Sequence, residues 1–179
     1  MSVSQAINRK REKDGGFRPS LHKEIKATYL PSQPRKAIWY FVLAYWVVTI
    51  LGILLTIAFA VFFKPPSAQE LGLPASQDPS YLMTLPYHPL LNLFWIPFAW
   101  LYLRGVDGDR LRSEALNLGT FWVVICILID LVGWILIPHP WAMTFKEFYV
   151  DYQPWITLIY LVIFLSPIVV AKLQSSTKP

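Results

Sequence analysis

Four apolar runs separated by short polar segments dominate the hydrophobic pattern of this chain. An α-helix needs about 20 mostly apolar residues to cross the hydrocarbon core of a bilayer. Three runs are long enough to do so, and they predict membrane spans at residues 37–63, 116–138 and 154–171. None of the three shows the strict alternation that is typical of strands. The pattern therefore predicts an all-α integral membrane protein.

The fourth run, at residues 82–103, is a less regular candidate span. Its continuous apolar part covers about 14 residues, or about 21 Å of helix, which is too short to cross unless Pro86 and Pro89 are included. Pro97 is expected to kink it, because proline removes one backbone hydrogen bond and clashes with the preceding turn. A re-entrant hairpin is the alternative. If the run is helical, one face carries Asn92, Trp95, Ala99 and Tyr102.

The polar segments complete the predicted organisation. Residues 1–36 form a basic extension that carries nine of the sixteen Lys and Arg residues, and residues 173–179 form a short polar tail. Between them, residues 37–172 form one domain with four spans. Residues 64–81 and 104–113 are predicted to be loops, because Pro, Gly and Asp favour turns.

Basic residues are distributed unevenly about the four predicted spans. With a cytoplasmic N-terminus, only Lys64 and Lys146 lie on the outer side, and the other fourteen Lys and Arg residues lie inside. Cytoplasmic loops carry an excess of Lys and Arg. The expected topology is therefore a four-helix transmembrane bundle with both termini in the cytoplasm, and the expected location is a plasma membrane.

Composition narrows the class of partner. The chain is 55% hydrophobic and has a formal net charge of +5, with its basic residues beside the spans. That placement indicates contact with anionic lipid headgroups, through Arg9, Lys10, Arg11 and Lys13, rather than with nucleic acid. The single cysteine excludes an intramolecular disulfide.

Asp130 is the most informative polar residue, because it lies inside the span at residues 116–138. A carboxylate at the centre of a membrane costs about 2.5–3.5 kcal/mol on insertion scales, so it normally faces protein or a water-filled cavity. Two interpretations stay open. Asp130 binds a proton or an ion, or it joins the helices through a hydrogen bond to Thr, Tyr or Asn on a neighbouring span.

Small residues mark two helix faces. Gly119, Cys126 and Gly133 share the face of Asp130, and this face is predicted to pack against neighbouring helices. On the first span, small and weakly polar residues recur at helical spacing; they are Tyr45, Thr49, Gly52, Thr56 and Ala60. Helix packing is the expected role of this stripe, and a substrate path lined by Thr49 and Thr56 is the alternative.

His88 and His139 are each followed by proline and are expected near the outer surface. With Asp130 they could form a metal site or a proton route, but no HxxxH or HExxH spacing is present. The sequence also lacks the P-loop, GxGxxG and CxxC motifs. We therefore predict no metal and no cofactor.

The residues from Glu114 to Trp122, followed by Asp130 and Leu131, resemble a pattern in uncharacterised small bacterial multi-span membrane proteins. The resemblance covers the third span and the residues that lead into it. It implies a four-helix inner-membrane protein and implies no activity.

Three functional classes follow from these observations. The first expectation is a non-enzymatic accessory or scaffold subunit that forms a homo-oligomer or joins a larger membrane complex. The second is a small ion- or proton-coupled transporter or channel that uses Asp130. The third is an intramembrane enzyme that acts on a lipid with His88, His139 and Asp130.

Overall fold

The structure is a computed structural model that describes residues 30–177, without the side chain of Thr177. The predicted headgroup contacts of Arg9, Lys10, Arg11 and Lys13 lie outside the described residues. Within that range the chain is helical and has no strand. The α-helices are α1 (Pro34–Phe63), α2 (Ala68–Leu71), α3 (Pro79–Thr84), α4 (His88–Leu91), α5 (Trp95–Leu103), α6 (Gly108–Asp130) and α7 (Trp155–Thr177). The 3₁₀ turns are Ala75–Gln77, Leu85–Tyr87 and Asn92–Phe94, and the π-helices are Leu131–Leu136 and Glu147–Asp151.

Three helices are long and apolar enough to cross a membrane: Pro34–Phe63, Gly108–Leu136 and Trp155–Ser176. They contain most of the residues of the three regular predicted spans. The expectation of a loop throughout residues 104–113 is wrong, because α6 begins at Gly108. A hydrophobic run marks where a helix contacts lipid, and a helix can continue into water beyond that point. α7 likewise continues past residue 171 and accommodates Pro167.

The fourth predicted span is helical but broken. From Pro79 to Leu103 the chain passes through α3, α4 and α5 with two 3₁₀ turns between them. The first turn contains Pro86, and the second ends just before α5, so that Pro97 lies in the first turn of a new helix. Proline is tolerated there because that N–H would have no partner within the helix. Asn92, Trp95, Ala99 and Tyr102 are all buried, as their predicted shared face requires.

Residues 64–78 and 139–153 lie together at one end of the helices, and we call them the loop cap. The prediction of an unstructured loop at residues 64–81 is wrong in part, because α2 begins with a capping box between Ser67 and Glu70. The two segments are joined by hydrogen bonds. Gln77 Nε2 donates to Glu147 Oε1 at 2.7 Å, and the Tyr152 hydroxyl donates to the Ser76 carbonyl at 2.7 Å.

α6 and α7 form the most extensive helix pair of the described chain. Gly119 lies where they are closest, because a Cβ atom at this position would stand 2.5 Å from the backbone oxygen of Phe164. Three residues further along α6, the Trp122 indole donates to the carbonyl of Ala37 at 3.0 Å and thereby joins α6 to α1. Trp95 of α5 packs against Trp122 with ring centroids 5.1 Å apart. These contacts form the main core.

Glu114 anchors the start of α1 at the opposite end from the loop cap. Its Oε1 accepts hydrogen bonds from the backbone N–H and the hydroxyl of Ser32, at 2.6 and 2.9 Å. The Tyr102 hydroxyl donates to the same oxygen. Lys36 adds a bond from Nζ to the Tyr102 carbonyl at 3.1 Å. This cluster ties residues 32–36 to α5 and α6.

Candidate functional site

A cavity of about 680 Å³ lies beneath the loop cap. It is enclosed by α1, α6, α7 and the helices of Pro79–Leu103, which we call the broken segment. That volume is within the range of about 300–1,000 Å³ that is typical of small-molecule sites. Most of its lining is aliphatic or aromatic, and its polar groups are few. Among the lining residues are all three polar candidates from the sequence: Asp130, His88 and His139.

Asp130 is buried at the junction between α6 and the π-helix Leu131–Leu136. The Tyr160 hydroxyl on α7 donates to its Oδ2 at 2.7 Å. This bond joins α6 to α7 and is one form of the inter-span hydrogen bond that the sequence left open. The other oxygen, Oδ1, accepts no hydrogen bond from any residue that the structure describes. Asp130 therefore has one oxygen engaged and one available.

Two further tyrosines lie near this carboxylate and line the cavity. Tyr45 of α1 and Tyr81 of α3 are close enough to Asp130 to interact with it electrostatically. Cys126 lies one turn earlier on α6 and also lines the cavity. Tyrosines from three helices thus surround one acid. Nothing in the sequence pattern singled out Tyr81 or Tyr160, because each is one aromatic residue among many.

The polar stripe of α1 faces this cavity. Tyr45, Thr49, Gly52 and Thr56 all line it. The Thr49 and Thr56 hydroxyls donate to backbone carbonyls one turn earlier, at 2.7 and 3.0 Å, so their hydrogens are used within the helix. Their oxygens keep lone pairs that can accept from a ligand. The stripe therefore forms part of the cavity wall, and the substrate path stays a prediction.

His88 lies on the wall formed by the broken segment. Its Nε2 is 3.3 Å from the hydroxyl oxygen of Thr84, which itself donates to the Tyr81 carbonyl at 2.6 Å. Because that hydroxyl hydrogen is engaged, Nε2 is assigned as the donor and Nδ1 as the unprotonated nitrogen. A Cβ atom on Gly52 would be 4.0 Å from Nε2. Gly52 therefore lies beside this imidazole, and a methyl group there would be in ordinary van der Waals contact with it.

His139 forms a hydrogen bond at each of its two ring nitrogens. The backbone N–H of Trp141 donates to Nδ1 at 3.1 Å, and Nε2 lies 2.8 Å from the carbonyl of Gly133. A ring nitrogen that accepts leaves the other as the donor, so His139 is assigned as neutral. It holds the end of the π-helix against the loop cap. Neither histidine forms a hydrogen bond with Asp130 in the described part of the chain.

The predicted packing residues separate into two groups. Gly119 lies against α7, whereas Gly52 and Cys126 line the cavity. A Cβ atom on Gly133 would meet nothing within 4 Å. The predicted small-residue face therefore packs closely against α7 at Gly119, whereas at Gly133 it borders open space.

The loop cap closes one end of the cavity with aromatic and sulfur-containing side chains. Met143, Phe148 and Tyr152 are buried there, whereas Trp141 is 43% exposed. All four line the cavity. Part of this aromatic-rich segment therefore packs inward.

The cavity also reaches the side of the helix bundle. Ile53 and Ile57 on α1 line the cavity and are 55% and 53% exposed. Both residues lie within a helix that is apolar enough to cross a membrane. The cavity therefore opens sideways, at a level that hydrocarbon chains would occupy around a spanning helix.

Charged groups outside the spans support the loop cap rather than the cavity. Hydrogen bonds from the Thr144 backbone, the Gln77 side chain and the Thr144 hydroxyl lower the pKa of Glu147. The described ion pair, between Lys146 Nζ and Asp151 Oδ1 at 2.7 Å, is exposed on the same segment. No group of three His, Cys, Asp or Glu residues that could hold a metal ion occurs among residues 30–177.

In chemical terms, the site combines an apolar cavity, one buried carboxylate with a free oxygen, and hydroxyl oxygens on α1. It can hold a small apolar molecule and contact one polar group of that molecule at Asp130. Comparisons with protein families, with curated proteins and with solved structures found no match to this chain.

Proposed function

We propose that this chain is a small membrane carrier that binds an apolar or amphiphilic molecule in its cavity and uses Asp130 as its protonatable group. The observation that carries the proposal is the cavity of about 680 Å³ that reaches this buried acid. A purely structural acid would be expected to have its carboxylate enclosed by protein. Asp130 instead keeps one oxygen without a described donor and borders open space.

Two features support a ligand that arrives from the bilayer. The cavity is open at Ile53 and Ile57, within the apolar part of α1. Its lining is largely apolar, as hydrophobic burial of a ligand requires. Proton exchange at Asp130 would couple the two states of a carrier, because gaining or losing a proton changes the charge of the binding site.

The topology that we propose has four spans and cytoplasmic termini in a bacterial inner membrane. The fourteen basic residues predicted on one side support the orientation. The helical segment Pro79–Leu103 supports a second span, since it is long enough to cross despite its two 3₁₀ turns. Reporter fusions after Lys64, Arg104 and Lys146 test it. If a reporter fused after Arg104 is active on the outer side of the membrane, this topology is contradicted.

The binding proposal is tested with Nile red, a neutral apolar dye whose emission changes in an apolar site. We expect saturable binding to the purified full-length protein in mild detergent. In Gly52→Leu, a side chain would occupy the cavity, and we expect binding to weaken by about tenfold or more. A matched Gly133→Ala variant adds a methyl group outside the cavity lining and should bind as the wild type does. Equal dye binding by wild type and Gly52→Leu contradicts the proposal.

Transport is tested separately in proteoliposomes that carry a pH gradient. Wild-type protein should accumulate a cavity ligand in response to the gradient, and Asp130→Asn should show no gradient-driven accumulation. Accumulation by Asp130→Asn equal to that of wild type would contradict the coupling role of Asp130.

An accessory or scaffold role is a second proposal, which one observation favours. The most hydrophobic 18-residue stretch of α1 contains no residue buried within the chain, whereas 22% and 33% of the corresponding stretches of α6 and α7 are buried. An unburied spanning helix offers a surface to a second copy or a larger complex. Native mass measurement in mild detergent tests this proposal, and a strictly monomeric protein without a partner would contradict it.

A further inference from the structure

The cavity contains an acid without a counter-ion. Asp130 Oδ2 accepts from Tyr160, but no Lys, Arg or His in the described chain pairs with it. A carboxylate that is left unpaired in apolar surroundings is costly, and a positive charge placed beside it removes much of that cost. The free Oδ1 marks where such a charge would bind.

The groups that face Asp130 from each neighbouring element are uncharged. They are Tyr45 on α1, Tyr81 on α3, Cys126 on α6 and Tyr160 on α7. The three tyrosines lie on three different helices and line the cavity, as does Trp134. Aromatic faces attract cations within about 6 Å of the ring centroid. The carboxylate and the rings thus favour the same sign of ligand charge.

The rest of the lining disfavours an anion. Among the described residues, no lysine or arginine lines the cavity. His139 is engaged at both nitrogens, and Nε2 of His88 lies 3.3 Å from the Thr84 hydroxyl. A phosphate or carboxylate headgroup would therefore meet Asp130 with no cation beside it. Like charges at close range in an apolar site repel strongly.

We infer that the ligand of this cavity is a lipophilic organic cation, an ammonium- or phosphonium-type group on an apolar body, with its charge at Oδ1 of Asp130 among Tyr45, Tyr81 and Trp134. The inference rests on the proposed function, because it names the chemical class of the molecule that the cavity binds. The apolar body lies against the aliphatic and aromatic walls, and the lateral opening at Ile53 and Ile57 gives it access from the bilayer.

The test uses two probes of matched shape and opposite charge, tetraphenylphosphonium and tetraphenylborate. Binding of each to the full-length protein in mild detergent is measured by calorimetry, and Gly52→Leu provides the control that locates binding in the cavity. We expect wild type to bind the phosphonium at least about tenfold more tightly than the borate, because only the cation gains from Asp130. Asp130→Asn should weaken phosphonium binding about tenfold or more and should leave borate binding unchanged or stronger.

A second variant keeps the inference testable if Asp130→Asn does not fold. Trp134→Leu retains the carboxylate and removes one aromatic ring. Both probes lose an apolar contact, but only the cation also loses its attraction to the ring, so phosphonium binding should weaken by about threefold or more relative to borate binding. If the two probes bind equally and both are lost in Gly52→Leu, the cation inference is wrong and the carrier proposal stands. If neither probe binds while Nile red does, the cation inference is likewise wrong and the carrier proposal stands. If Nile red also fails to bind, the proposed function falls with the inference.

Discussion

Gly119 provides a sharp test of the packing between α6 and α7. The Cβ atom of an alanine at this position would stand 2.5 Å from the backbone oxygen of Phe164 and 3.3 Å from its ring. Ordinary contact begins at 3.4 Å, so the two backbones must separate by about 0.9 Å or the helices must distort. A backbone oxygen in a helix cannot rotate away as a flexible side chain can.

The expected cost follows from two opposing effects. Overpacking of this kind costs about 1–3 kcal/mol. Replacing glycine by alanine within a helix stabilises by about 0.5–1 kcal/mol, because it restricts the unfolded chain. We therefore expect Gly119→Ala to lower the free energy of unfolding by about 1–2 kcal/mol. For a chain of this size that corresponds to a decrease of about 2–8 °C in Tm.

The assay is thermal unfolding in mild detergent, followed by circular dichroism, with Gly133→Ala as the matched control. That control adds the same methyl group to the same helical span, where nothing lies within 4 Å of it. Its Tm should equal or slightly exceed that of wild type. Gly119→Ala unfolding at the same temperature as Gly133→Ala would refute the close contact between α6 and α7.

The same variant connects packing to the site. A rigid separation of α6 from α7 by about 0.9 Å would stretch the 2.7 Å contact between Tyr160 and Asp130 by up to that amount, and at the limit of about 3.6 Å it is too long for a hydrogen bond. We therefore expect Gly119→Ala to alter ligand affinity, although Gly119 does not line the cavity. Tyr160→Phe should reproduce the change in affinity without the loss of helix packing.

Two other predictions concern the ends of the helices. Glu114→Ala should destabilise the protein by about 2 kcal/mol or more and increase hydrogen exchange at residues 30–36, since Ser32 loses a buried charged acceptor; unchanged exchange there would contradict the anchoring role. Glu147 has a lowered pKa in the folded state, so its contribution to the loop cap is complete above about pH 4.5 and decreases as the pH falls through that lowered value. Cleavage of the loop cap by pepsin should therefore increase on acidification in wild type. Glu147→Gln should show no such transition, and a wild type that is equally insensitive would contradict the prediction.

The length of the apolar runs was enough to locate α1, α6 and α7, because the cost of exposing apolar side chains to water fixes which residues stay in lipid. It was not enough to locate helix ends. The start of α6 at Gly108 lies in a polar stretch, where backbone hydrogen bonding decides the conformation. In the segment Pro79–Leu103, the three prolines after Pro79 allow either breaks or kinks, and the choice depends on packing against α1 and α7.

The site was predictable in its parts but not in its assembly. Asp130 could be recognised because a charged residue in a span is rare, and the stripe of Thr49 and Thr56 could be recognised by its period. The contact of Asp130 with Tyr160 could not, since a hydrogen bond between residues 30 positions apart depends on how the helices are oriented. The inward packing of the loop cap is likewise a tertiary effect, because an aromatic residue serves equally well at a membrane surface.

Cys126 gives the molecule a built-in chemical reporter. It is the only cysteine of the chain, it is 2% exposed, and it lines the cavity one turn from Asp130. A thiol reagent can reach it only through the cavity, so the rate of alkylation reports how readily the cavity admits the reagent. No residue needs to be introduced and none removed before such labelling is site-specific. Occupation of the cavity by a ligand can therefore be followed in the native protein, in detergent or in an intact membrane.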